Sequence, residues 1–163
     1  MSEDPIPQIR PYRPADQSAL LSLIRELQAF ERAIDPLLKP EADIGFEYIE
    51  ALCAEIEKHG GAILVAEDQS QLVGYAAIFT SVPNDDDDEI AYNYALVRDL
   101  SVAASHRGKG LGKRLLAACE ERARAAGAER LRIMVLSQNT GAHGLYTKFG
   151  FADRLTEMEK ALE

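Results

Sequence analysis

The sequence predicts a mixed α/β fold, a single sheet layer with helices on its faces, in the order β-α-α-β-β-β-α-β-α-β. Three observations carry that prediction. The spacing of apolar residues switches repeatedly between a helical period and short strand-like runs. Gly and Pro punctuate the switches. The length of 163 residues, 47% hydrophobic and 28% charged, suits one globular domain over 1–163, with a core over about 8–162, and excludes wholesale disorder. No internal repeat or low-complexity linker interrupts the pattern.

The elements follow in order. Residues 8–12 read as a short first strand. Asp16 is a candidate N-cap. After it Leu20, Leu23, Ile24, Leu27 and Phe30 recur at three- and four-residue intervals, one face of an amphipathic helix that ends before Pro36 and Pro40. A second helix is predicted over about 41–58, with Phe46, Ile49, Leu52, Cys53 and Ile56 on its buried side and Gly60-Gly61 beyond it. Ala62–Ala66 and Leu72–Thr80 are apolar runs about a polar turn, so they form a hairpin. Ser81–Glu89 holds Pro83 and four consecutive Asp at 85–88, a solvated loop because like charges so close repel. A long strand is predicted over 90–102 and a helix over 111–126. A further strand covers 131–136, a short helix 140–149, and a last strand or two 151–162.

Charge narrows the function. Eighteen Lys+Arg against 27 Asp+Glu give a net charge of −9, which argues against a nucleic-acid backbone as the main partner. The longest apolar runs fall far below the ~20 residues that span a bilayer. Met1–Pro5 shows no basic stretch leading into an apolar run, so no secretory signal and a cytoplasmic setting are expected. Cys53 and Cys119 are isolated and no C-x-x-C or H-E-x-x-H spacing occurs, so no metal is expected. Both cysteines read as small core residues.

Within this acidic chain one segment is basic, Arg107-Gly108-Lys109-Gly110-Leu111-Gly112-Lys113-Arg114. It joins a predicted strand to a predicted helix. Alternate Gly residues allow close backbone approach, and the first helical N–H groups lack internal partners and carry the positive end of the helix dipole. Together these read as a site for a phosphate-bearing ligand; a plain Gly/Lys turn capping a helix is the other reading. The P-loop pattern G-x-x-x-x-G-K-[ST] fails, because Arg occupies both 107 and 114. The dinucleotide pattern G-x-G-x-x-G fails at Lys113 and Leu115. R-x-x-G-x-G, from Arg107 through Gly110 to Gly112, fits.

R-x-x-G-x-G at a strand-to-helix turn resembles the coenzyme A diphosphate loop of the GNAT N-acetyltransferase family. The resemblance continues in Leu100-Ser101-Val102 before the loop and in Asn139 and Tyr146 within N-x-x-A-x-x-x-Y. It extends to Gly150-Phe151 and to the ending Met158-Glu159-Lys160-Ala161-Leu162. The element order agrees, over about residues 8–162.

That resemblance implies a mostly antiparallel sheet flanked by helices, acetyl-CoA as co-substrate, and acetyl transfer to a primary amine by direct attack in a ternary complex. Arg107, Gly108, Lys109, Gly110, Leu111, Gly112 and Lys113 would hold the diphosphate. Backbone groups around Leu100, Ser101 and Val102 would bond the pantetheine arm and the acetyl carbonyl. Asn139 reads equally as a helix N-cap and as an amide contacting pantetheine. Tyr146 is implied as the general acid toward the leaving thiolate. A homodimer is a family-level expectation.

The acceptor side is less determined. Strand alternation puts Tyr92, Tyr94, Leu96 and Arg98 on one face and Asp99 on the other. In the family an acidic or His side chain often faces the acceptor, whereas Leu96 and Arg98 stand there in this sequence. Arg98 suits an acceptor carboxylate or phosphonate, or is salt-bridged to a neighbouring acid. A water chain from Tyr92 or Tyr94, or no dedicated base, remains open. Arg25–Glu31 is similar to the first helix of the polyamine and thialysine branch, and Glu26 and Glu31 are candidates for attracting a cationic amine. The acceptor is therefore expected to be a small amino-acid-like or polyamine-like amine. A non-catalytic acyl-CoA-binding or sensing domain on the same fold is the alternative.

Overall fold

Five strands lie in sequence order across one sheet: β1 (Gln8–Pro11), β2 (Gly61–Asp68), β3 (Gln71–Pro83), β4 (Asn93–Val102) and β5 (Leu131–Ile133). The first four pair antiparallel and β4 pairs β5 in parallel. This is a computed structural model, and it describes residues 6–162; Met1–Pro5, where no secretory signal is expected, and Glu163 lie outside them. The β2–β3 hairpin turns at Gln69 and Ser70, both left-handed with φ of 46° and 66°. That conformation matches the right-handed twist of the flanking strands.

Ile63–Ala66 and Val73–Thr80 are buried without alternation, because helices cover both faces of the sheet. On one face Leu64, Ala76, Ile78, Ala95 and Val97 pack with Leu115, Leu116 and Cys119 of α3 (Leu111–Ala125) and with Tyr146 of α4 (Thr140–Phe149). On the other, Val65, Tyr75, Ala77 and Phe79 meet Leu20, Leu23 and Ile24 of α1 (Gln17–Ile34) and Ile49 and Leu52 of α2 (Phe46–His59). A site between β4 and β5 is thus walled by α1 and α2 on one side and by α3 and α4 on the other.

Besides small shifts of strand ends (β3 runs on to Pro83, β4 begins at Asn93 and β5 ends at Ile133), the structure differs from the expected elements in three places. Asp16 does not cap α1 with its carboxylate, which instead accepts from Arg10 at 2.7 and 2.9 Å and from the Arg13 amide. Helix α2 begins at Phe46, not near 41, and residues 41–43 form a 3-10 turn. Side chains of α1 hold that connection, with Arg25 donating to the Ile44 carbonyl and Gln28 to that of Lys39, each at 2.8 Å. Finally, residues 151–162 carry no regular secondary structure, so the expected last strand is not formed. Leu155, Met158 and Leu162 stand 82%, 91% and 90% exposed. A strand needs a paired neighbour for its backbone groups, and β5, at three residues, offers little edge to pair with.

Candidate active site

The site is set by an irregularity in β4. Ile78 pairs with Val97, yet the next residue of β3, Ala77, pairs with Asp99. Arg98 is the extra residue of a β-bulge, and a bulge inverts the alternation beyond it. Asp99 therefore shares the α1/α2 face with Leu96, which corrects the uninterrupted alternation expected from sequence. There its carboxylate accepts from the Tyr48 hydroxyl at 2.9 and 3.1 Å and from the Tyr75 hydroxyl at 3.2 Å. Burial pushes its pKa up, and the Arg98 charge and the two hydroxyl bonds pull it back. A carboxylate thus stands on the face of Leu96, one residue along from Arg98.

The same bulge aims the backbone. The Ala103 amide donates to the Val73 carbonyl of β3 at 2.8 Å, so Leu100 and Val102, out of step with it, turn their backbone groups to the opposite edge. The β4–β5 pairing ends at Val97 and Ile133, and that edge lies open beyond them. Ser101 is buried on the Asp99 side. At the end of the opening, Gly108 and Gly110 adopt φ of 75° and 81°, and a Cβ on either would meet nothing. Their presence reflects backbone conformation, not crowding. Gly110 caps α3 with no side chain, and no acidic residue occupies the first turn. The N–H groups at Leu111, Gly112 and Lys113 are therefore free to face an anion. Gly112 serves packing as well: a Cβ there would lie 3.1 Å from Leu145 of α4. Lys109 and Lys113 are exposed. Arg107 is engaged, donating to the Val102 carbonyl at 2.9 Å and to Glu26 of α1 at 3.1 Å, with Phe30 beneath its guanidinium. Glu26 also accepts from the Ala104 amide at 3.0 Å, so it faces the loop and not an acceptor amine.

On the α4 side, Asn139 caps the helix, its side chain accepting from the Ala142 amide at 3.2 Å. Its NH2 group makes no hydrogen bond among the described residues and keeps its donors. Tyr146 is 8% exposed and packs edge-on against Phe151, centroids 6.0 Å apart. Burial and the Glu31 carboxylate push its pKa up to about 12. Its hydroxyl makes no hydrogen bond among the described residues, and no buried side-chain polar atom there lacks a partner, so the hydroxyl oxygen is accessible to solvent. Glu31 is itself raised by burial and by Asp99, and lowered by Arg98. Glu31 thus interacts through space with Arg98, Asp99 and Tyr146.

Tyr92 and Tyr94 have a different setting. They bracket Arg132 of β5, whose guanidinium lies 5.4 and 3.9 Å from the two ring centroids. Arg132 donates to the Tyr92 hydroxyl and, at 3.3 Å, to the amide oxygen of buried Asn84, which in turn donates to exposed Glu89 of the acidic loop. Arg98 is half exposed, with its nearest acid Asp99 at 3.5 Å. It borders an open groove of about 340 Å³ between α2, β3 and β4, lined by Tyr48, Leu52, Phe79, Val82 and Leu96, with Glu55 and His59 at the rim.

Residues 23–151 match the family model described as the acetyltransferase (GNAT) family. The chain belongs to that family. Among GNAT relatives, the thialysine N-epsilon-acetyltransferase of Bos taurus is 31% identical over 158 residues, 93% of this chain and 86% of that one. The uncharacterized N-acetyltransferase YhfO of Bacillus subtilis is 28% identical over 145 residues, 89% of each chain. In structure, a mutant protein from Bacillus halodurans superposes with a TM-score of 0.80 at 20% identity, covering 96% of this chain and 99% of that one. An aminoglycoside N-acetyltransferase solved with CoA gives 0.66 at 16%, covering 95% and 100%. This GNAT protein is accordingly an acyltransferase, which sets aside the non-catalytic sensing alternative. No helix among the described residues is long and apolar enough to cross a membrane.

Proposed function

We propose that this protein is an acetyl-CoA-dependent N-acetyltransferase acting on a small-molecule primary amine, with Asp99 as base and Tyr146 as acid. The observation that carries the reading is the bulge at Arg98. One irregularity both sets the Asp99 carboxylate on the α1/α2 face beside Leu96, the face read here as the acceptor's, and turns the Leu100 and Val102 backbone to the open edge. The residues fit the co-substrate: left-handed Gly108 and Gly110 with the uncapped start of α3 suit a diphosphate, and the open edge of β4 suits an extended amide-bearing arm. Lys109, Lys113 and the Asn139 amide complete that side.

When bound, acetyl-CoA supplies the acyl carbon as a thioester. Asp99, held by Tyr48 and Tyr75, takes a proton from the acceptor ammonium, since only the neutral amine attacks. An N–C bond forms as the C–S bond breaks, Tyr146 gives the departing sulfur its proton, and the second proton shed by the nitrogen restores the tyrosine, so that the proton on Asp99 is the one released to solvent. A carboxylate raised by burial is a better base toward an amine than an ordinary surface one, and a tyrosine raised to about 12 keeps its proton until the thiolate leaves. The relative named for thialysine acetylation supports a small acceptor. The test is thiol release from acetyl-CoA with a broad amine panel. Release that depends on a small amine and is lost in Asp99→Asn supports the reading. Release only with protein or peptide acceptors contradicts it.

A further inference from the structure

Arg98 lines the α2 groove, and the Asp99 carboxylate lies 3.5 Å from it and accepts from the hydroxyl of Tyr48, another residue of the lining. Their separation of 3.5 Å is longer than the ~2.8 Å of a tight charge-assisted contact, so the guanidinium, half exposed at the groove, keeps donors free. A cation and an anion side by side complement a ligand that carries an ammonium and a carboxylate two bonds apart. Beyond them the groove turns apolar, floored by Leu52, Phe79, Val82 and Leu96. Its volume of about 340 Å³ lies at the small end of ligand pockets.

We propose that the acceptor is an apolar α-amino acid, its ammonium on Asp99, its carboxylate on Arg98 and its side chain along the Leu52–Phe79–Leu96 floor. This rests on the N-acetyltransferase reading and commits that reading to a substrate class. The α-nitrogen gains the acetyl group, the thioester sulfur leaves as CoA thiol, and one proton is released for each ammonium consumed. A linear polyamine is disfavoured by the same geometry. It has no carboxylate for Arg98, brings a second cation toward the guanidinium, and meets an apolar floor where it needs acids. Besides Asp99, the one carboxylate at the groove is Glu55, which lies 3.5 Å from His59.

The experiment compares kcat/KM, by thiol release, for leucine, methionine and phenylalanine with that for isopentylamine, phenethylamine and spermidine. The amino acids should exceed their carboxylate-free counterparts by about tenfold or more. In Arg98→Gln the ratio of leucine to isopentylamine should fall toward one, and Arg98→Lys should restore part of it. Equal or better turnover of the simple amines or of spermidine overturns the proposal while leaving the N-acetyltransferase reading standing. So does an unchanged ratio in Arg98→Gln, with folding checked by a thermal shift on adding CoA. Absence of thiol release with every acceptor, in protein that binds CoA, overturns both.

Discussion

The Tyr48 hydroxyl, carried on α2, donates to the Asp99 carboxylate of β4 at 2.9 Å. The bond favours the charged carboxylate, opposing the burial that disfavours it. As a base Asp99 must be ionised, so kcat/KM should rise with pH through a limb above the ordinary carboxylate range. Tyr48→Phe removes one bond to the charged form and should move that limb to higher pH. The acceptor amine titrates identically in both proteins, so the difference between their pH profiles belongs to the enzyme. A limb that moves to lower pH contradicts the assignment.

Asp99→Asn should separate activity from stability. The folded-state pKa of Asp99 is raised, so the folded protein holds a proton there that the unfolded chain has released. Stability from that proton is present below the unfolded pKa and is lost as pH rises through the folded one. Above it the ionised group is a burden that Asn lacks. Asp99→Asn should therefore melt higher than wild type at neutral pH, with the gain vanishing under acid conditions, while kcat/KM drops about 10²–10⁴-fold. Melting temperatures across pH, set beside turnover, check both halves.

How far the site was legible in the sequence follows from how local its causes are. The Gly108–Gly110 turn and the Asn139 cap depend on neighbouring residues, and the structure places both where the motif indicates. The core pattern of α1 and of the β2–β3 hairpin was equally plain, since burial by covering helices leaves uninterrupted apolar runs. The bulge was not legible. Nothing about Val97-Arg98-Asp99 signals an inserted residue, because it arises from pairing with Ala77 and Ile78 some twenty residues earlier, and it reverses the face of everything after it. For the same reason alternation sets Asp99 on the face away from Leu96, where the bulge does not leave it. Arg107 fits the phosphate-loop spacing, while its engagement by Glu26 is a contact between elements 81 residues apart that spacing cannot reveal.

Glu26 links the acceptor-side helix to the ligand loop, and its two bonds predict opposite effects for two substitutions. Glu26→Gln keeps an acceptor for the Ala104 amide but removes the negative charge beside Arg107, freeing that guanidinium for the diphosphate. CoA should bind more tightly, by about two- to fivefold, as expected of a half-exposed ion pair. Glu26→Ala loses the loop contact too and should bind more weakly than Glu26→Gln. Calorimetry at two salt concentrations checks this, with the Glu26→Gln gain shrinking at high salt.

Tyr146→Phe should lower kcat by about 10²–10⁴-fold, the range for loss of general acid catalysis, with CoA affinity little changed, because the ring and its packing on Phe151 are kept. Equal losses in turnover and CoA binding would assign Tyr146 to binding. The pH profile makes the role specific. Tyr146 titrates near 12, so it holds its proton across the working range, and wild type should show no descending limb from it below about pH 10. Glu31 contributes to that elevation through its negative charge. Glu31→Gln should therefore let the Tyr146 pKa fall, bringing a descending limb to lower pH than in wild type, without moving the ascending limb far. A Glu31→Gln profile that loses activity uniformly at every pH would show that Glu31 acts on the acceptor and not through the tyrosine.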